Sequence, residues 1–153
     1  MKNFLWLMLI SPWVWAENPF WLQGATDQVY DIQVWRSESC GCCKAWIEHL
    51  EDHQFRVLDM PVDDLNAVKD QYFIPQGARS CHTAMVNGLL VEGHVPAQDI
   101  KKALEQGEVE LLAVPAMPSG SPGMDFPGSR KDDFAVIAKN GDQVWKFAEY
   151  QDY

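Results

Sequence analysis

A change of hydrophobic period at residues 36–41 limits how this chain can fold. Before the change, residues 30–34 alternate between apolar and polar, which predicts a β-strand. After it, apolar residues recur with the spacing of one face of an α-helix that begins near Gly41. The residues on this face are Cys43, Trp46, Ile47 and Leu50. A second short strand at 55–60 completes a strand–helix–strand order, which requires a parallel strand pair with a right-handed crossover.

The rest of the chain predicts further helices and two hairpins. Ser39 is the expected cap of the first helix, and Asp63 is the expected cap of a second helix that ends before Pro75. Asn87-Gly88 predicts a tight hairpin, a third helix covers 97–106, and 110–114 is extended. Around Asn140-Gly141 the pattern predicts a closing hairpin. The result is an α/β fold with a mixed sheet flanked by helices. This is the layout of the thioredoxin-like fold, although other small α/β folds share the order.

Length and charge restrict the domain count and the classes of partner. A chain of 153 residues with 47% hydrophobic residues is typical of one folded domain. We expect a lead-in at 17–28, a thioredoxin-like domain at 29–114 and a C-terminal extension at 115–153. Residues 115–130 are rich in Pro and Gly and predict a loop rather than a packed element. A net charge of −10 argues against nucleic acid, because phosphate backbones are bound by basic faces.

The first 16 residues have the pattern of a secretory signal peptide. Lys2 precedes an apolar run at 4–15, and small residues around Ala16 predict cleavage there. The run is shorter than the roughly 20 residues that a membrane span needs. We therefore expect an exported, periplasmic protein with no membrane segment after cleavage, and an oxidising compartment for its cysteines. An uncleaved N-terminal anchor is the alternative.

Three of the four cysteines lie in one short segment, Cys40-Gly41-Cys42-Cys43. Cys40 and Cys43 form a C-x-x-C at a strand-to-helix junction, which is the position of a redox pair. Amide groups and the dipole at a helix N-terminus stabilise a thiolate there. Because a thiolate is both a redox nucleophile and a metal ligand, this position alone leaves both functions open.

Cys42 favours the metal. A dithiol oxidoreductase has no need of a third thiol beside its pair, whereas crowded thiolates suit Cu(I) better than a single tetrahedral zinc. We therefore predict a copper site that can hold more than one ion, with zinc as the weaker alternative. In the predicted fold, Cys81 and His82 open the strand that faces this helix, and His94 follows the hairpin at the same edge. A c-type haem is excluded because Lys44, not His, follows Cys43.

The candidate ligands are also compatible with structural roles. Four cysteines in an exported protein commonly form two structural disulfides. His49 and His53, at i and i+4, are a possible metal pair, but the helix pattern directs them near Leu50 or towards solvent. Met117 and Met124 are candidate thioether ligands for copper, or plain loop residues.

Four motifs in order resemble the CopG-like family of exported bacterial proteins associated with copper resistance. The motifs are Cys40-Gly41-Cys42-Cys43-Lys44-x-Trp46, Arg79-Ser80-Cys81-His82-Thr83, Glu92-Gly93-His94-Val95-Pro96 and Met117-Pro118-x-Gly120-Ser121-Pro122-Gly123-Met124. The resemblance extends from about Ile32 to the end of the chain. It implies a thioredoxin-like domain whose C-terminal extension helps to form the metal site, with copper held by the sulfurs of Cys40, Cys42, Cys43 and Cys81. His94, Met117 and Met124 also match motif positions.

The sequence thus predicts a monomeric copper-binding protein that holds Cu(I) through clustered thiolates and acts in copper resistance and Cu(I)/Cu(II) balance. Its partners would be copper ions and copper efflux or other periplasmic copper proteins. Whether it is an enzyme, as a copper-linked oxidoreductase, stays open. Two alternatives are a thiol–disulfide oxidoreductase in which Cys40 attacks and Cys43 resolves, and a noncatalytic domain stabilised by disulfides or zinc.

Overall fold

The computed structural model describes residues 18–153, so the predicted signal peptide at 1–16 lies outside the described residues. Seven strands and three α-helices follow in the order β1 (Tyr30–Arg36), α1 (Gly41–Asp52), β2 (Phe55–Pro61), α2 (Leu65–Gln71), β3 (His82–Val86), β4 (Leu89–Glu92), α3 (Ala97–Gln106), β5 (Leu111–Ala113), β6 (Phe134–Asn140) and β7 (Gln143–Tyr150). A short 3₁₀ helix at Gln76–Ala78 precedes β3. No helix within residues 18–153 is long and apolar enough to cross a membrane.

The strands form one mixed sheet in the order β2-β1-β3-β4-β5-β6-β7. β1 and β2 are parallel across the α1 crossover, and β3 runs antiparallel to both β1 and β4. The predicted mixed α/β architecture is therefore confirmed. Its assignment as thioredoxin-like stays a prediction.

The C-terminal extension continues this sheet. β5 pairs parallel with β4, β6 pairs antiparallel with β5, and the predicted closing hairpin supplies β6 and β7. Between β5 and β6, residues 114–133 form a succession of turns without a strand or helix, as predicted for this Pro- and Gly-rich stretch.

Two predicted helix caps are wrong by one residue. Cys40, rather than Ser39, is the N-cap of α1, and its side chain makes no capping hydrogen bond. Asp64, rather than Asp63, caps α2 by accepting a hydrogen bond from the Ala67 N–H at 3.1 Å. In both cases several polar residues precede the helix, and only packing selects which of them becomes the cap.

The core lies between the sheet and the helices, and it recruits the lead-in. Trp21 is fully buried, contacts the rings of Phe134, Tyr150 and Tyr153, and donates its indole N–H to the Gly120 carbonyl at 3.0 Å. Aromatic residues from both ends of the described chain therefore hold the extension against the rest of the fold.

Candidate metal centre

Strand pairing brings the four cysteines together. Cys40 is the N-cap of α1, and Cys42 and Cys43 lie in its first turn. β1 pairs antiparallel with β3 so that Arg36 is opposite His82, which places Cys81 beside the segment that leads into α1. The ligand atoms of Cys40, Cys42, Cys43 and Cys81 all lie within 4.8 Å of one another. The pairing of β1 with β3 thus brings Cys81 next to cysteines that lie about 40 residues earlier in the sequence.

One disulfide joins two of the four sulfurs. Cys40 and Cys43 are bonded, whereas Cys42 and Cys81 are free thiols. The Cys42 Sγ lies 3.6 Å from the Cys40 Sγ. Among residues 18–153 there is thus one disulfide and not the two that a purely structural role would use. In this state the bonded pair becomes available as thiolate ligands only after a two-electron reduction.

Two histidines complete a second group around Cys81. The Cys81 Sγ lies 3.2 Å from the His82 Nδ1 and 3.0 Å from the His94 Nε2, and the ligand atoms of these three residues also fall within 4.8 Å of one another. His94 Nδ1 donates to the Pro122 carbonyl at 2.8 Å. A carbonyl only accepts, so the proton of neutral His94 is on Nδ1 and the lone pair of Nε2 faces the Cys81 sulfur.

Burial keeps these groups neutral when no metal is bound. Burial lowers the pKa of both His82 and His94, and His82 is lowered further by the nearby His94. Burial, reinforced by the adjacent Cys42, raises the pKa of the Cys81 thiol to about 12. The site therefore pairs a protonated thiol with neutral imidazoles. A cation that binds here would displace the proton of Cys81 and meet the unprotonated Nε2 of His94.

The donor set fits a soft metal ion. Thiolate sulfur is the ligand that Cu(I) prefers, and imidazole nitrogen accommodates Cu(I), Cu(II) or zinc. Cys81 belongs to both groups of ligand atoms: the sulfur group with Cys40, Cys42 and Cys43, and the imidazole group with His82 and His94.

Comparisons with known proteins agree with this geometry. A family model described as "Protein of unknown function, DUF411" matches residues 78–124, which include Cys81 and His94. A solved structure named "Copper resistance protein copG- Form 2" is 44% identical, with a TM-score of 0.77, and the match covers 81% of this chain and all of that one. A second, named "Copper resistance protein copG- Form 1", is 45% identical with a TM-score of 0.75, covering 80% of this chain and 98% of that one. This chain belongs to the CopG family. No curated protein matches it.

In this CopG family member, the extension contacts the candidate centre through a tight turn. Gly123 adopts φ +81°, and a Cβ at this position would lie 2.7 Å from the Trp46 backbone nitrogen and 2.8 Å from the Cys42 carbonyl oxygen. The turn therefore rests on the first turns of α1, and its Pro122 carbonyl reaches His94.

The two predicted thioether ligands lie on either side of this turn. Met117 is half exposed, and Met124 is partly buried where the turn closes, with its N–H donating to the Ser121 carbonyl. The sequence places both in the segment that covers the site. Copper ligation by either methionine stays a prediction.

His49 and His53 lie in the core and not towards solvent, so that part of the prediction is wrong. They are 2% and 0% exposed. His49 Nε2 accepts the Ala97 N–H at 3.0 Å, and His53 Nε2 donates to the Trp21 carbonyl at 2.6 Å. These bonds connect α1 to the start of α3 and to the lead-in. Both histidines are therefore buried although they are polar, because each has a backbone hydrogen-bond partner.

Sequence reasoning missed a buried ion pair behind the site. Glu92 and Lys69 are 0% and 3% exposed and form a salt bridge. Nothing local distinguishes Lys69 from the solvated lysines of other helices. For Glu92, the available signal is its position at the end of an apolar strand, directly before Gly93-His94.

A cavity in the described part of the chain lies apart from the cysteines. It has a volume of about 650 Å³ and opens between α1 and the turns of the extension. Its lining includes Glu48, Asp52, Asp125 and Phe126, and none of the cysteines. The candidate centre is thus separate from this cavity.

Proposed function

We propose that this protein is a periplasmic copper-binding protein that holds Cu(I) through Cys40, Cys42, Cys43 and Cys81 and acts in copper resistance. The observation that carries the proposal is the meeting of four sulfurs within 4.8 Å, with one of them also within 4.8 Å of two imidazole nitrogens. Membership of the CopG family supports copper as the ion, since the related structures are named as copper resistance proteins.

Loading requires that an external dithiol reduce the Cys40–Cys43 disulfide. The dithiol is oxidised to its own disulfide and supplies the two electrons and two protons that yield two thiols. Each Cu(I) that then binds a thiol forms a sulfur–copper bond and releases that thiol's proton. Cys81 would contribute its sulfur to both groups of ligand atoms. His82 and His94 would hold copper on their side, and Met117 and Met124 would shield it or complete its coordination from the extension.

The mixed donor set also supports a role in copper redox balance. Thiolates favour Cu(I), whereas the imidazole nitrogens of His82 and His94 make Cu(II) more tolerable. A copper ion held by the sulfur group would therefore be stabilised as Cu(I), and one held by the imidazole group would more readily be Cu(II). The pattern of the first 16 residues supports export, and copper efflux proteins are natural recipients of the bound Cu(I).

The test is anaerobic titration of the fully reduced protein with Cu(I), read by elemental analysis and by thiolate-to-copper absorption. The wild-type protein should retain more than one equivalent. Cys42→Ser should lose most of the retained copper, because a hydroxyl is a poor ligand for Cu(I). Ala45→Ser is the matched control, since it adds a hydroxyl to the same helix at another partly buried position.

Retention of one equivalent or less by the wild type would contradict a polynuclear site. Equal copper retention by Cys42→Ser and Ala45→Ser would contradict the role of Cys42. Zinc added in competition should not displace Cu(I); displacement would favour the zinc-stabilised alternative.

The Cys40–Cys43 disulfide supports a second candidate, a thiol–disulfide oxidoreductase. The bonded pair stands at a strand-to-helix junction, where an attacking thiolate is stabilised. This candidate predicts reduction of insulin disulfides in the presence of a dithiol, with the activity largely unchanged in Cys42→Ser. Inactive wild-type protein would rule it out.

A further inference from the structure

Lys69 and Glu92 form a buried ion pair directly behind the candidate metal centre. Glu92 is the last residue of β4, and Lys69 reaches it from α2 with almost no exposure of either side chain. Removing two charges from water costs free energy that their mutual attraction often fails to recover. Replacing such a pair by well-packed apolar side chains is often neutral or stabilising, so stability alone does not account for Lys69 and Glu92 at this place.

The other hydrogen bonds of Glu92 identify what is positioned. One carboxylate oxygen accepts the Ser80 backbone N–H at 2.7 Å, and the other accepts the Thr83 hydroxyl at 2.7 Å. The Lys69 ammonium also donates to the Thr83 hydroxyl oxygen at 3.0 Å. Ser80 and Thr83 are the residues on either side of Cys81-His82. A single carboxylate therefore holds both ends of the dipeptide that carries two predicted ligands.

The same strand continues directly into the third ligand. Gly93 separates Glu92 from His94, and its N–H donates to the His82 carbonyl at 3.1 Å. Gly93 has φ +74°, and a Cβ there would lie 2.5 Å from the Val114 carbonyl oxygen and 2.7 Å from the Ser80 side chain. The close approach of these two segments is what allows Cys81 and His94 to meet at 3.0 Å.

We propose that Glu92, paired with Lys69, is a positioning residue that sets Cys81 and His82 against His94. The inference rests on the proposed copper site. It assigns Glu92 to the imidazole side of that site, because its hydrogen bonds reach the Cys81-His82 segment and not the first turn of α1. Loss of this carboxylate should weaken metal binding because Cys81 and His94 would no longer be held in the same relative position. All of the candidate ligands would still be present.

Two double variants separate the hydrogen bonds from the charges. Lys69→Met with Glu92→Gln removes both charges and keeps a side-chain oxygen that can accept the Ser80 N–H. Lys69→Met with Glu92→Leu removes both charges and the acceptor. Asp99→Asn is the stability control, since Asp99 is another buried carboxylate and accepts a hydrogen bond from Tyr150, which joins α3 to β7.

The measurement is Cu(I) affinity of the reduced proteins in competition with a chromogenic Cu(I) chelator, with thermal unfolding of each metal-free variant alongside. The Gln variant should bind within about threefold of wild type, and the Leu variant should bind about 10–100-fold more weakly, as is typical when a partner that orients a ligand is lost. Asp99→Asn should leave affinity unchanged. If the Leu variant does not fold, Thr83→Val replaces it, because it removes one hydroxyl at constant volume, and several-fold weaker binding is expected.

A double-mutant cycle with His94→Gln distinguishes positioning from general destabilisation. If Glu92 acts through His94, its loss should have little further effect once His94 is absent, whereas independent destabilisation would add. Additive losses, or wild-type affinity in the folded Leu variant or in Thr83→Val, would overturn the inference while leaving the copper site intact. Failure of wild-type protein to bind Cu(I) would instead refute the proposed function, and the inference with it.

Discussion

His49 should make this protein sensitive to acid. It is 2% exposed, and burial lowers its pKa from 6.5 to about 3 against the opposing influence of Asp125 and Asp52. The folded protein therefore keeps His49 neutral at a pH where the unfolded chain binds a proton. As the pH falls through about 6.5, protonation of His49 stabilises the unfolded state, so the free energy of unfolding decreases. The decrease continues until His49 is also protonated in the folded state, near pH 3.

The magnitude follows from the two pKa values. Between about pH 7 and about pH 4, protonation of the unfolded chain at this one residue costs about 3 kcal/mol of folding free energy. His49→Gln removes the titrating group and keeps a side-chain acceptor for the Ala97 N–H at the start of α3. The variant should therefore lose about 3 kcal/mol less than wild type over the same pH interval.

The assay is denaturant unfolding of the metal-free, disulfide-intact protein at the two pH values, followed by tryptophan fluorescence. Glu48→Gln is the matched control, because Glu48 is the exposed neighbour on the same helix and should leave the wild-type pH dependence in place. Other groups titrate equally in wild type and His49→Gln, so only the difference matters. Equal losses in the two proteins would refute the assignment of His49 as a buried neutral residue.

Three further predictions concern the extension and the site. Gly123→Ala should destabilise the fold by about 1–3 kcal/mol and lower copper retention, because the added Cβ strains the backbone and clashes with α1. Gly128→Ala is the control. Gly128 has φ +78° and nothing within 4 Å of an added Cβ, so this variant should have the backbone strain without the clash. If the two variants behave alike in unfolding and copper titration, the contact of the turn with α1 is unimportant. Trp21→Phe should cost about 1–3 kcal/mol by leaving the Gly120 carbonyl without its buried donor, and Trp145→Phe on β7, 37% exposed, should cost nearly nothing; similar urea midpoints would contradict this. The pKa of Cys81 is raised to about 12, so copper binding should release the proton of this thiol. The copper affinity should therefore increase about tenfold for each unit rise in pH through this one proton. Calorimetry in two buffers of different ionisation enthalpy should count about one proton fewer in Cys81→Ser, and an unchanged count would contradict protonation of Cys81.

The sequence by itself determined the order of the elements and the meeting of the cysteines. Hydrophobic period and turn residues act over a few neighbours, so they predicted β1, α1, β2 and both hairpins closely. Once β1 and β3 are adjacent, Cys81 must lie near the start of α1, and the sulfur group follows. Helix caps were less predictable, because several neighbouring polar residues could serve.

Only the tertiary structure decided the environment of these residues. The burial of His49, the pairing of Lys69 with Glu92 and the contact between Pro122 and His94 depend on which faces pack together across many residues of sequence. The same packing makes Cys81 a protonated thiol facing a neutral imidazole lone pair, since desolvation acts through all surrounding atoms and not through sequence neighbours. The ligand types could therefore be predicted from the sequence, but their charges, tautomers and supporting hydrogen bonds follow from the fold.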